Sequence, residues 1–185
     1  MNETNNGYQL VGRLLGKGLS PGISVGTAHR VESEVPVFHR ISIRSEEVDT
    51  ELERLEQALD RSRRQYLKDK ERLKEAVGKE HSYIIDAHLQ MLQDPQFLAE
   101  IRRRIEGLES PEKALRYVSE ELLAAYESLQ DPFFRERSFD FKEVVDRIIS
   151  NLLEIPSRTE PELPEALILV APRIGLSTLV KYPLD

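Results

Sequence analysis

Between Val48 and Val77 apolar residues return every three or four positions: Val48, Leu52, Leu55, Leu59, Tyr66, Leu73 and Val77. That period lines them along one stripe of an α-helix, with charged residues on the other faces. Ser45 followed by Glu46 and Glu47 is a start signal, and Gly78 is a stop. The pattern predicts a helix of roughly 30 residues. A stripe of that length has to be covered, and three coverings are open: a dimeric coiled coil, a helical hairpin or bundle within one chain, and a single helix on a sheet. Ser62 and Lys70 interrupt the seam, and more helical segments follow, which favours the hairpin or bundle.

The next segments are punctuated by proline. Ile84, Ile85, His88, Leu89, Met91 and Leu92 recur at helical spacing, and Asp94-Pro95 then ends one helix and begins another. Phe97, Leu98, Ile101 and Ile105 form the inward stripe of the second piece, closed by Gly107. Met91 and Leu92, flanked by Gln90, Gln93 and Asp94, make an apolar knuckle with a polar rim, readable as core or as a docking surface. Ser110-Pro111 opens a helix with the stripe Leu115, Val118, Leu122, Ala125, Tyr126 and Leu129. Asp131-Pro132 repeats the device, and after a short turn a helix is expected from Phe139 to Leu153, stopped by Ile155-Pro156. The expectation is an up-and-down bundle over residues 45–155.

Strand signals lie only at the two ends. Gly22 and Gly26 bracket Ile23 and Val25, suggesting a short strand where backbone approaches backbone. A phosphate-binding loop is the alternative there, but the spacing matches neither common fingerprint. Val35 to Ile43 reads as a second strand, residues 156–165 as a linker, and Ala166 to Ala171 as a strand buried on both faces. The economical topology is a helical subdomain inserted into a β-containing domain, preceded by a polar tail over residues 1–17 that is expected to fray.

Chemistry is sparse. No cysteine is present, so disulfides and thiolate metal sites are excluded. The net charge of −7 argues against a nucleic-acid partner, and no apolar run approaches membrane-spanning length; a cytoplasmic protein is expected. His29, His39, His81 and His88 show no metal-ligand spacing, Arg102 to Arg104 reads as a solvated face, and no complete active site emerges.

Ser20 to Ala28 (SPGISVGTA) resembles the opening motif of enzyme I of the bacterial phosphotransferase system, the phosphoenolpyruvate–protein phosphotransferase. Asp86 to Pro95 (DAHLQMLQDP) is similar to the same family's helix-turn-helix. Arg135 to Arg137 with Asp140 to Ile155 resembles a later helix, and Ala166 to Ala171 its return strand. The motifs stand in family order from Gly18 to Ala171. The resemblance implies a mainly α fold, a helical subdomain over residues 45–156 that docks the phosphocarrier HPr, inserted into an incomplete α/β phosphohistidine domain formed by residues 18–44 and 157–185. It implies a phosphoryl relay from phosphoenolpyruvate, with magnesium, through an enzyme histidine to HPr, in an enzyme that is a homodimer when whole. This part is expected to be monomeric. By position in the matched motifs, the implied docking residues are Glu80, Asp86, Gln90, Met91, Asp94, Ser119, Tyr126 and Arg137.

The family's Gly-Gly-x-Thr-Ser-His segment does not occur in residues 1–185, and residues 171–179 match the family poorly. The chain therefore reads as the amino-terminal part of such an enzyme, cut before its nucleophile. No catalytic or metal-binding residue is assigned, and phosphoenolpyruvate with magnesium is expected not to phosphorylate the chain alone. The lack of a large domain before Gly18 favours the sugar-type enzyme over the nitrogen-regulatory type. The alternative is a non-catalytic helical adaptor or sensor that binds an HPr-like protein.

Overall fold

The apolar stripe of helix α1, Val48–Val77, is the surface on which the other helices collect. The computed structural model describes residues 15–31, 42–78, 82–128, 132–155, 166–172, 174–175, 179 and 182. In chain order come β1 (Thr27–Arg30), a 3-10 turn (Ser45–Glu47), α1, α2 (Tyr83–Leu92), α3 (Pro95–Glu106), α4 (Pro111–Ser128), α5 (Pro132–Leu152) and β2 (Leu167–Val170). The fold is mainly α, as the helical periodicity predicts.

Local chemistry explains the helix ends. The Glu47 carboxylate accepts the Arg44 N–H at 2.8 Å, which starts the turn leading into α1. Asp94 holds an extended backbone and accepts the Phe97 N–H at 2.8 Å, with Pro95 at the first helical position. Ser110 Oγ accepts the Lys113 N–H at 3.3 Å at the start of α4. Gly78 closes α1 at φ 92°, a conformation that favours glycine. At the end of α3 the left-handed residue is Leu108, φ 69°, and not Gly107, φ −79°. The Leu108 carbonyl accepts the Ile43 N–H at 3.0 Å, which ties the entry of α1 to the α3–α4 corner.

The core is one cluster. Leu55, Leu59, Tyr66 and Leu73 of α1 meet Ile85 and Leu92 of α2, and Phe97, Ile101 and Ile105 of α3. Leu115 and Val118 of α4 join them, with Phe141, Val144, Val145, Ile148, Ile149 and Leu152 of α5. The α1 stripe is thus covered within the chain, the bundle solution among the three. Ser62, which interrupts the stripe, is fully buried and functions as a register point. It donates to the Ala58 carbonyl and accepts from Asn151 Nδ2, both at 2.8 Å. Asn151 also exchanges two 3.0 Å hydrogen bonds with Gln65. With Arg147 on Asp69 at 2.8 Å, these contacts run α5 antiparallel to α1. Lys70, the other interruption, is half-buried and pairs with Asp86 of α2.

Several sequence expectations are corrected. No turn separates Pro132 from Phe139: α5 is continuous, because Ser138 and Asp140 lie on its less buried side while Phe141 enters the core. Ala125 is exposed rather than part of the α4 stripe. The Arg102 to Arg104 run is not simply a solvated face. Arg102 bridges to Glu56 of α1 at 2.6 Å, and Arg104 pairs with Glu100, Glu109 and Glu121 while stacking 3.7 Å from the Tyr117 ring centroid.

The two strands form a parallel pair with Thr27 opposite Leu167. The first strand is Thr27–Arg30, and the Ile23 to Val25 stretch is not a strand: these side chains are 96% and 88% exposed. The ladder begins where Gly26 lets Ala166 approach, since a Cβ on Gly26 would lie 2.7 Å from the Ala166 oxygen. Gly22 has no such neighbour. β2 is only partly buried, not buried on both faces, because the described sheet has two strands and Val170 is exposed. Of the expected strand at Val35–Ile43, only Ser42 and Ile43 are described; Ser42 forms an isolated bridge with Glu109. Residues 1–14 of the tail and the whole linker at 156–165 lie outside the described residues.

Candidate functional site

Phe141 organises one end of the bundle. Its ring is buried on α5 and meets Phe97 edge-on at 5.2 Å, just after the α2–α3 corner. On another side it meets Tyr126 of α4 edge-on at 6.4 Å. Met91 is partly buried and packs against the same core before the corner, and Asp94 is exposed at the corner itself. Arg137 lies one helical turn before Phe141 and pairs with Asp140, Nη1 to Oδ2 at 3.7 Å. Phe141 of α5 therefore joins Tyr126 of α4 to Phe97 of α3, beside the corner that carries Met91 and Asp94, with Arg137 earlier on its own helix. This gives apolar contact area with a mixed-charge rim, an arrangement suited to a protein surface.

The other sequence candidates are placed differently. Asp86 is about half exposed and committed to Lys70. Gln90 is exposed on α2. Ser119 is 4% exposed and donates to the Arg116 carbonyl at 2.7 Å, so its hydroxyl is turned into its own helix and away from any partner. Glu80 lies outside the described residues. Asp94 presents a carboxylate that already caps α3, so it serves the corner's geometry first.

Sequence reasoning missed two members of the site, Phe141 as a surface organiser and Asp140. The signal for Asp140 was its place in the matched helix, but its role depends on a residue of another helix. His88 is fully buried on α2, and its Nε2 lies 3.8 Å from Asp140 Oδ1. Burial pushes the His88 imidazole below its ordinary range, with the Asp140 carboxylate opposing and the Arg147 and Arg137 guanidinium groups reinforcing. The unfolded ring, near pH 6.5, takes a proton before the folded one. Stability attributable to His88 is therefore present above pH 6.5 and declines on acidification until the lower folded value is passed. Urea unfolding at a series of pH values should show a drop below pH 6.5 in the wild type that is reduced in His88→Gln. Equal slopes for the two proteins would refute this role.

Among the described residues no group of three or more His, Cys, Asp or Glu side chains could hold a metal ion. No helix of the described residues is long and apolar enough to cross a membrane.

The family model described as "PEP-utilising enzyme, N-terminal" matches residues 15–137, about two-thirds of the chain. This chain belongs to the PEP-utilising enzyme family, as its N-terminal region. The phosphoenolpyruvate-protein phosphotransferase of Bacillus subtilis strain 168 is 29% identical over 159 residues, covering 85% of this chain and 28% of that relative. The protein of the same name from Enterococcus faecalis is 28% identical over 160 residues, with the same coverage. The chain thus spans little more than a quarter of the length of these curated relatives. A solution structure of Enzyme I superposes with a TM-score of 0.73 at 28% identity, covering 89% of this chain and 68% of that one. The N-terminal domain of Enzyme 1 – Nitrogen superposes at 0.62 with 23% identity, a likeness of fold.

Proposed function

We propose that the chain is the amino-terminal region of a phosphoenolpyruvate–protein phosphotransferase, enzyme I of a sugar phosphotransferase system, and that residues 45–156 dock an HPr-like phosphocarrier. The observation that carries this reading is the packing of Phe141 on Tyr126 and on Phe97 beside the α2–α3 corner that bears Met91 and Asp94, in a chain whose relatives bear that enzyme's name. Residues 18–44 and 157–185 belong in this reading to the α/β phosphohistidine domain, with β1 and β2 as the place where it joins the bundle. The working protein is cytoplasmic and dimeric as a whole, while this part is monomeric.

Docking asks of this end only that it bind and orient a partner. Met91 and Tyr126 supply apolar contact, Asp86 and Asp94 meet basic side chains, Gln90 offers an amide, and Arg137 offers a guanidinium fork. Magnesium serves phosphoryl transfer in the whole enzyme, and the described residues of this chain bring together no cluster suited to hold it. No docking step runs through the metal.

Heteronuclear NMR of the labelled chain titrated with HPr is the direct test. Shift changes are expected around Met91, Tyr126 and Arg137, and none at Ser119 beyond its neighbours' response. Met91→Ala should weaken docking about five- to thirtyfold, the range of a central apolar contact at an interface. A titration at high HPr concentration without perturbation at Met91 and Tyr126 removes the proposal.

A further inference from the structure

His88 stands where α2 packs on α1 and α5, and its ring is fully buried. Neither ring nitrogen has a hydrogen-bond partner among the described residues. Buried polar groups are nearly always bonded, so the ring is a weak point in the seat of α2. The titratable and charged groups around it come from all three helices. From α1 the Tyr66 ring lies 5.3 Å away, centroid to centroid. From α5 Asp140 Oδ1 lies 3.8 Å from His88 Nε2, beyond hydrogen-bond range, and Arg137 pairs with the other oxygen of that carboxylate at 3.7 Å. Arg147 of α5 lies 3.8 Å from the centroid of the Tyr66 ring and pairs with Asp69 of α1. On α2 itself, Asp86 pairs with Lys70 of α1. A neutral imidazole carries one N–H and an imidazolium two. Asp140 stands near Nε2, and Nδ1 has no acceptor, so protonation in place puts a charge and a second unmet donor out of reach of water. The helix that carries this ring has 10 residues, too few to persist without its packing.

We propose that α2 opens from the bundle as a unit of its own and that His88 gates the opening: the neutral ring keeps α2 seated on α1 and α5, and the protonated ring favours the unseated helix, where water reaches both nitrogens. The step is one proton taken from solvent by a ring nitrogen, and no other bond is made or broken. Burial lowers the proton affinity of the seated ring by more than Asp140 restores, and the Arg147 and Arg137 guanidinium groups add to the burial effect. The seated state is therefore fully favoured above pH 6.5, and opening grows as the pH falls from there to the lower value of the seated ring. α2 carries Asp86, Gln90 and Met91, so the gate regulates the docking face. It rests on the docking reading for the identity of the partner but not for its own chemistry.

The test begins with the chain alone. Amide hydrogen exchange from about pH 7 to pH 5, corrected for the intrinsic pH dependence of exchange, compares Ala87 to Leu92 of α2 with Leu115 to Ser119 of α4. The α2 amides are expected to be at least about tenfold less protected than those of α4, as a separately opening unit requires. Their protection should fall below pH 6.5 by up to about tenfold per pH unit, the limit for one proton. His88→Gln should remove most of this dependence. Asp140→Asn takes away the group that favours the charged ring in the seated state, so the fall should persist and extend to lower pH. Equal protection of α2 and α4 at every pH overturns the proposal, because α2 then leaves only when the whole bundle unfolds. So does α2 protection that stays level, or that rises on acidification as the ring locks onto Asp140, or that no longer responds to pH in Asp140→Asn. HPr at about ten times its dissociation constant should slow α2 exchange about tenfold. If HPr leaves α2 exchange unchanged at every pH while the His88 dependence remains, the docking reading fails and the gate stands.

Discussion

Replacing Arg54 by methionine is expected to remove about 3–5 kcal/mol of stability, the cost of breaking a buried ion pair from one side. Arg54 Nε meets Glu51 at 2.7 Å, while Nη1 meets Glu112 of α4 at 2.7 Å and the Leu152 carbonyl of α5 at 2.9 Å. One guanidinium therefore joins α1 to the first turn of α4 and the last turn of α5. It also sits at the negative end of the α5 dipole, beside Arg61, which donates to the Asn151 carbonyl at 2.9 Å. Burial lowers the Arg54 pKa, but hydrogen bonds to Glu112 and Glu51 outweigh it and hold the group above its ordinary value. Glu51 and Glu112 are both nearly inaccessible, so methionine takes the shared guanidinium away from two buried carboxylates. Urea unfolding of wild type and Arg54→Met at pH 7 measures the loss. Adding Glu51→Gln and Glu112→Gln should recover most of the loss. A variant as stable as wild type at pH 7 would show that the cluster contributes nothing.

Ile148→Ala is the second large effect, expected at about 2–5 kcal/mol. Ile148 is fully buried on α5, the helix that packs on α1, α2 and α4 together, so the space left by the removed carbons has rigid walls on several sides. The midpoint of thermal unfolding should fall by about 2–4 °C for each kcal/mol lost. Ile23→Ala is the matched control. The same residue type is 96% exposed there, and the change should stay within about 0.5 kcal/mol. Calorimetry on both variants tests the contrast; a similar cost at the two positions would contradict the placement of the core.

That contrast marks how far a sequence can be read. Isoleucine 23 and isoleucine 148 carry the same apolar side chain, and only their partners separate them. Within the helical region, periodicity picked out most of the buried residues because α-helical spacing acts over three and four positions. It placed Ala125 inside, where the end of α4 is open. It also broke α5 near Ser138, since a polar run resembles a turn until a neighbouring helix is present to bury Phe141. The family resemblance named Met91, Tyr126 and Arg137 as candidates, while the edge-on meeting of Tyr126 with Phe141 and the Arg137–Asp140 pair came only from the packed helices.

The sequence by itself determined the helix ends and the faces. Asp94-Pro95, Ser110-Pro111 and Gly78 act on amides and dihedral angles within about one helical turn, so no distant partner is needed for their effect. Only the tertiary structure decided which polar residues belong inside. Ser62 finds Asn151 at a sequence separation of 89, and Arg54 finds the Leu152 carbonyl at 98. It likewise decided that the first strand begins at Thr27, where Ala166 supplies a carbonyl, and that His88 faces Asp140. Hydrogen bonds and ion pairs need contact, and contact between residues so far apart in the chain exists only once the helices have packed.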